Sequence, residues 1–66
     1  MAFQSAMERY PEVLTIKDVM DILRIGRSTV YAMVQRKELK AIRLSNGIIR
    51  VLKSEFIKDV EKHIVT

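Results

Sequence analysis

Hydrophobic residues recur with helical spacing in the first half of the chain, and one interruption divides the pattern in two. The first stripe occupies positions i, i+3, i+4 and i+7, namely Ile16, Val19, Met20 and Leu23. Thr15, three residues before Asp18, predicts a capping-box-like start in which the Thr hydroxyl accepts a backbone N–H. A first helix is therefore expected to begin directly after Thr15.

The interruption is Arg24-Ile25-Gly26, and a second helix is expected to follow it. Gly26 can adopt a backbone conformation that a β-carbon would resist. Ser28 and Thr29 then open a helix that continues to Arg36. At about 100° per residue, the buried side of this helix is expected to hold Val30, Met33 and Val34. Two helices joined by a short turn predict a helix-turn-helix, although many helical hairpins share this spacing.

The opposite side of the second helix is short, polar and nearly free of acid. Ser28, Ala32 and Gln35 share this side, and Thr29 and Tyr31 flank it together with Arg36. A solvated helix face usually mixes Glu with Lys. This face is instead typical of a helix that contacts base edges in DNA.

From Ala41 to Leu52 the hydrophobic period changes from about 3.6 to 2, with Asn46-Gly47 at the centre, which predicts a β-hairpin. A two-residue loop at Asn46-Gly47 gives the pairs Ser45 with Ile48, Leu44 with Ile49, Arg43 with Arg50, and Ile42 with Val51. Alternation then directs four residues towards the core: Ile42, Leu44, Ile49 and Val51.

This register places Arg43 directly opposite Arg50 on the outer face of the hairpin. Two like charges in such a pair destabilise a hairpin by a few tenths of a kcal/mol. An anion such as a phosphate between them would offset that cost, as expected for the wing of a winged helix. The alternative is that the two arginines point apart into water.

Ser54 followed by Glu55 is expected to cap a last helix that closes the core. Its apolar stripe comprises Phe56, Ile57, Val60 and Ile64. Much of the acid of the chain also lies here, at Glu55, Asp59 and Glu61, so this helix is expected to face away from nucleic acid.

Residues 1–13 are expected to form an N-terminal tail or extended segment, and residues 14–66 the folded domain. Phe3, Met7 and Tyr10 have rough helical spacing, but Pro11 prevents continuation and favours an extended residue before it. A frayed tail is therefore predicted, followed by a short extended piece at Val13-Leu14.

Composition excludes several classes of protein. With 66 residues the chain has room for one domain and a modest core, and it has no cysteine for a disulfide or a thiolate metal site. No apolar run is long enough for a membrane span. His63 is the only histidine, and no set of acids or Gly-rich loop accompanies it. A cytoplasmic protein that is no enzyme and has no metal or cofactor is expected.

Charge is distributed unevenly along the chain. Residues 24–53 hold eight Lys and Arg against one Glu, whereas the remaining residues hold four basic side chains against seven acidic ones. The basic segment coincides with the second helix and the hairpin. Such a patch attracts a polyanion and accelerates its capture, although a solvated basic surface is the simpler alternative.

Helix, turn, helix, hairpin and helix in this order resemble the excisionase group of small winged-helix proteins, relatives of the DNA-binding head of MerR regulators. Four segments match this group: Leu14-Thr15-Ile16, Ile25 to Tyr31, Ala41-Ile42-Arg43 and Ser54. Glu8-Arg9-Tyr10 and Arg24-Ile25-Gly26 resemble the excisionases of conjugative transposons. The chain departs from the group at Ala32 and Ile48, where many relatives have a basic residue.

The resemblance implies a small α+β winged helix-turn-helix that binds double-stranded DNA. It also implies an architectural role, in which several copies bend DNA so that a tyrosine-recombinase integrase excises a mobile element. A location at the bacterial nucleoid would follow. A small transcriptional regulator of the MerR or AlpA type is the alternative, and a protein-only adaptor is a further one.

The residues expected to bind DNA lie on the second helix, the turn before it and the hairpin. The first of them flank the turn or lie on the helix: Arg24, Arg27, Ser28, Thr29, Tyr31, Ala32, Gln35, Arg36 and Lys37. The others belong to the hairpin: Arg43, Asn46 and Arg50.

Overall fold

The structure is a computed structural model, and it describes residues 2–63 of the chain. The helices are α1 Ala2–Met7, α2 Ile16–Leu23, α3 Arg27–Gln35 and α4 Lys53–Glu61. The strands are β1 Val13–Leu14, β2 Ile42–Arg43 and β3 Ile49–Leu52, arranged as an antiparallel sheet in the order β1-β3-β2. This architecture confirms the predicted small α+β winged helix-turn-helix. The predicted contribution of Ile64 to the last helix lies outside the described residues.

The helix-turn-helix follows from local signals that the sequence contains. The Thr15 side chain accepts a hydrogen bond from the Asp18 N–H at 3.0 Å, and the Asp18 carboxylate accepts one from the Thr15 N–H at 3.0 Å. This confirms the capping box. On α3, Val30 is fully buried while Met33 and Val34 are half-buried, as the helical spacing predicts. Helix α3 begins at Arg27, one residue before the predicted start.

The left-handed residue in the turn between α2 and α3 is Arg24 rather than Gly26. Arg24 has φ 58° and ψ 49°, and its N–H donates to the Met20 carbonyl, which ends α2. Gly26 has φ −79° and ψ 166°, an extended conformation open to any residue, and a Cβ there would meet nothing within 4 Å. The predicted role of Gly26 as the special backbone position is therefore wrong.

The core lies between the helices and the inner face of the sheet. Its buried members are Met7, Leu14, Ile16, Val19, Val30, Leu39, Ile49, Val51 and Phe56. Residues from every helix and from β1 and β3 contribute to it, so a single core holds the helix-turn-helix against the hairpin. Leu39, which follows α3 in the chain, is buried in this core.

The frayed tail predicted for the N-terminus is wrong, because residues 2–7 form α1 and Met7 is buried. The short strand at Val13-Leu14 is confirmed. Lys53 attaches this segment to α4, since its Nζ donates to the Tyr10 carbonyl at 2.9 Å and to the Met7 carbonyl at 3.3 Å. The domain boundary after residue 13 stays a prediction.

The hairpin register is shifted by one residue from the prediction. Ile42 pairs with Arg50 and Arg43 pairs with Ile49. The Leu44 N–H donates to the Ile48 carbonyl at 2.8 Å, which leaves a three-residue loop, Ser45 to Gly47, in place of the predicted two. Gly47 adopts φ 83°, the left-handed conformation that such loops require at their last residue.

The shifted register changes which hairpin side chains are buried. Ile49 and Val51 face the core as predicted, but Ile42 and Leu44 are exposed, contrary to the prediction. Directly opposite residues share a face of a sheet, so Arg43 and Arg50 lie on opposite faces. The predicted side-by-side pair of arginines is therefore wrong.

The last helix begins at Lys53, after Leu52, with no side-chain cap, so the predicted Ser54 cap is wrong. Phe56 is fully buried, as expected. Asp59 is also buried. Its carboxylate accepts a hydrogen bond from the Lys40 N–H at 2.9 Å and lies 3.9 Å from the Lys62 Nζ. Asp59 thus ties the segment after α3 to α4.

Candidate nucleic-acid interface

The outward side of α3 is open to solvent over nearly its whole length. Six of the residues predicted to bind DNA are exposed along this helix and at its end: Arg27, Ser28, Thr29, Tyr31, Gln35 and Arg36. Ala32 is half-buried, although helical spacing placed it on the outward side. The exposed set contains no carboxylate.

Ion pairing divides the basic residues of the protein into two groups. Within residues 2–63, five ion pairs form, and the cation in each is a lysine. In that same range the cations predicted to bind DNA form no ion pair within 4.0 Å: Arg24, Arg27, Arg36, Lys37, Arg43 and Arg50. Arg9 is the one further cation without an acidic partner among these residues, so six of the seven cations that the fold leaves uncompensated lie on the helix-turn-helix and the wing.

Two lysines of the basic segment do not belong to this group. Lys53 has a side chain only 15% exposed, 3.6 Å from Glu12, and it supports the N-terminal segment. Lys40 lies 3.3 Å from the Glu55 carboxylate. The sequence counted both as part of the positive patch, and the structure assigns them contacts with α4 and the N-terminus instead.

Two of the uncompensated cations occupy strained backbone positions. Arg24 ends α2 with φ 58°, and Lys37 follows α3 with φ 64°. Glycine is the usual residue at such left-handed helix ends, because a β-carbon there costs about 1 kcal/mol or more. A long basic side chain at both positions is explained if each contributes to binding an anion at the ends of the helix-turn-helix.

A cleft of about 310 Å³ separates the wing from the start of α2 and α3. Its lining includes three cationic side chains from three elements, Lys17, Arg27 and Arg50, together with Tyr31. No carboxylate lines it. The Arg50 guanidinium donates to the Ile49 carbonyl at 2.9 Å, which holds this side chain along the wing. The cleft brings the predicted residues of α3 and the wing together around one cationic surface.

Lys17 was not among the residues predicted from the sequence. It is 3.6 Å from Asp21, one turn further along α2, and its side chain is highly exposed. Its proximity to the wing depends on β1 pairing with β3, which places the start of α2 beside Arg50. A two-residue strand gives no sequence signal strong enough to predict that pairing.

Asn46 and Arg43 are the other two wing residues predicted to bind DNA. The Asn46 side-chain oxygen accepts a hydrogen bond from the Ile48 N–H at 3.3 Å, so this residue also shapes the loop. Arg43 is exposed and lies on the face of the hairpin opposite to Arg50. The wing therefore presents basic side chains on both of its faces.

In the part of the chain that the structure describes, no helix is long and apolar enough to cross a membrane. Within the same residues, no three His, Asp or Glu side chains lie together as metal ligands would. His63 is exposed at the end of α4.

A family model described as a helix-turn-helix domain matches residues 13–63 of the chain. The protein belongs to this helix-turn-helix family. It is a DNA-binding family that includes excisionase-like proteins, and membership supports sequence-specific binding of double-stranded DNA. The match begins at β1, so α1 of this helix-turn-helix protein lies outside it. No curated protein and no solved structure matches the chain.

Proposed function

We propose that this protein binds a specific site in double-stranded DNA, with α3 in the major groove and the wing on the adjacent backbone or minor groove. The concentration of uncompensated positive charge on the helix-turn-helix and the wing, which hold six of the seven unpaired cations of residues 2–63, is the observation that supports the proposal. Solvation alone does not require that acids be excluded from a basic surface, whereas none of these six cations has an acidic partner within residues 2–63.

The proposed contacts divide into those that read bases and those that hold phosphates. Nearest the bases are four residues of α3: Ser28, Thr29, Ala32 and Gln35. The Ala32 methyl would contact a thymine methyl. The phosphates would be held from both ends of the helix-turn-helix and from the wing, by Arg24, Arg27, Tyr31, Arg36, Lys37, Arg43 and Arg50. Asn46 would contribute at the wing loop.

The biological role that we propose is that of an excisionase, in which bound copies bend DNA and assist a tyrosine-recombinase integrase. Family membership and the resemblance of the turn and entry segments support this role. The test is excision of the element from a supercoiled plasmid by the integrase encoded nearest to the gene, with and without this protein. Excision only in its presence supports the role. Unchanged excision together with repression of a reporter promoter would favour a transcriptional regulator.

Gln35 and Arg36 are adjacent on α3 but are expected to give different defects. Gln35→Ala should reduce the preference for the specific site over random duplex by about 1–3 kcal/mol, because a Gln amide can form two hydrogen bonds with adenine. Arg36→Ala should weaken binding to both duplexes alike, because phosphate contacts are independent of sequence. Binding constants for both duplexes measure this. Equal losses in both variants would show that the helix enters the groove in another orientation.

Arg50→Thr is expected to weaken DNA binding and to lower the slope of log K against log salt by about one. Thr is a good strand residue, and Arg50 faces Ile42 rather than another arginine, so relief of like-charge repulsion is not expected. The thermal midpoint should therefore change little. Midpoint and binding constant are measured on the same variant, with Lys58→Thr on α4 as the control that leaves binding unchanged. An unaltered salt slope for Arg50→Thr would show that this arginine holds no phosphate.

A further inference from the structure

Two exposed apolar side chains lie together at the tip of the wing. Leu44 is 47% exposed and Ile48 is 37% exposed. The Leu44 N–H donates to the Ile48 carbonyl at 2.8 Å, so the two residues are directly opposite and their side chains share one face. The core does not use this pair, and a hairpin needs no apolar residues at its tip.

The tip is held in a fixed shape by its own hydrogen bonds. The Gly47 N–H donates to the Leu44 carbonyl at 2.9 Å, and the Ile48 N–H donates to the Asn46 side-chain oxygen at 3.3 Å. The loop is therefore organised before it meets a partner, and little conformational entropy remains to be lost when the apolar pair is covered.

The surroundings of the pair indicate what covers it. Arg43 precedes Leu44 and Arg50 follows Ile48 by two residues, and neither arginine has an acidic partner within residues 2–63. The sequence from residue 39 to residue 54 contains no acid. A partner that covers the apolar pair must therefore offer an apolar crevice between two rows of negative charge, as the minor groove of DNA does between its phosphates.

We propose that Leu44 and Ile48 form an apolar wedge that enters the minor groove, partly opens a base step and bends the duplex. This inference rests on the proposed function, because it assigns the wing a place on the same DNA that α3 reads. Apolar side chains inserted in this way kink DNA by roughly 20–90° towards the major groove. The unpaired arginines on either side would hold the two backbones while the step opens.

The face of the hairpin that carries the apolar pair also carries a third exposed apolar residue away from the tip, and this residue provides a matched control. Ile42 lies on the same face as Leu44, is 41% exposed and pairs with Arg50. A protein partner or a second copy of the chain would cover Ile42 together with the tip, because a stable protein interface needs about 800 Å² on each side. A wedge in the minor groove would use the tip alone.

The experiment compares wild type, the L44S/I48S variant and the I42S variant on a 30-base-pair duplex selected with the wild-type protein. Dyes at the two ends report the bend by energy transfer, and 2-aminopurine at successive steps reports unstacking. All three residues are exposed, so the thermal midpoints should agree within a few degrees. Wild type and I42S are expected to bend the duplex equally and to raise 2-aminopurine fluorescence at one step.

The L44S/I48S variant is expected to lose at least half of the bend and the fluorescence rise, and to bind about tenfold more weakly. Its slope of log K against log salt should equal that of wild type, because no cation is removed. An equal bend in L44S/I48S and wild type, or equal losses in I42S and L44S/I48S, would overturn the wedge while leaving DNA binding intact. Failure of the wild type to bind any duplex would instead overturn the proposed function itself.

Discussion

Met7→Ala is expected to lower the free energy of unfolding by about 2–5 kcal/mol, the range for truncating a large buried side chain in a core. Met7 is 1% exposed and belongs to the same core as Val30 of α3 and Phe56 of α4. A domain of this size has only a modest total stability, so the variant should be largely unfolded at moderate temperature. Urea denaturation followed by circular dichroism measures the effect.

Ser5→Ala on the same helix provides the control, because Ser5 is exposed and alanine favours helix. Its stability should equal or slightly exceed that of wild type. If Met7→Ala also remained within about 0.5 kcal/mol of wild type, the range typical of surface substitutions, α1 would not pack on the core in solution.

Met7 also shows why the N-terminal segment could not be predicted. The helical spacing of Phe3, Met7 and Tyr10 is visible in the sequence, but Pro11 indicates a break, and a six-residue helix is too short to be stable alone. The helix forms because Met7 enters a core built by residues far along the chain. Its end is stabilised by Lys53, forty-six positions away, which no local pattern reveals.

The helix-turn-helix was predictable because its signals are local. The capping box of Thr15 and Asp18 lies within one turn, and the apolar stripe of α2 needs only helical spacing. The exposed polar side of α3 follows from the same spacing. Only Ala32 differs, since it is half-buried.

The hairpin was predicted correctly as an element and wrongly in register. Asn46-Gly47 is compatible with a two-residue loop and with a three-residue loop that ends in a left-handed glycine. The two loop lengths differ by one residue in register, and such a shift turns every side chain of one strand to the other face of the sheet. Pairing of β1 with β3 fixes β3 against the core, so β2 adapts and exposes Ile42 and Leu44.

Affinity for duplex DNA is expected to fall about 500-fold when salt is raised from 50 to 200 mM. About five phosphates neutralised by the uncompensated cations give a slope of log K against log salt near −0.9 for each phosphate. The structure supports about five phosphates, since six cations of the helix-turn-helix and the wing have no acidic partner among residues 2–63: Arg24, Arg27, Arg36, Lys37, Arg43 and Arg50. Contacts with bases and the apolar wedge add affinity but little salt dependence.

Lys62→Ser provides the control for this prediction. Lys62 directly follows α4 and pairs with Asp59 of that helix, away from the proposed interface, so the variant should keep the wild-type slope. A lower slope in this variant would show that α4 faces the DNA, contrary to the proposed orientation.

The measurement that tests the central proposal most directly is fluorescence anisotropy of a labelled random-sequence duplex, titrated with the wild-type protein at several salt concentrations between 50 and 200 mM. Binding by α3 and the wing through their uncompensated cations predicts a log–log slope of about −4 to −5. A slope near zero would contradict it, because the charge left unpaired on these two elements would then hold no phosphates.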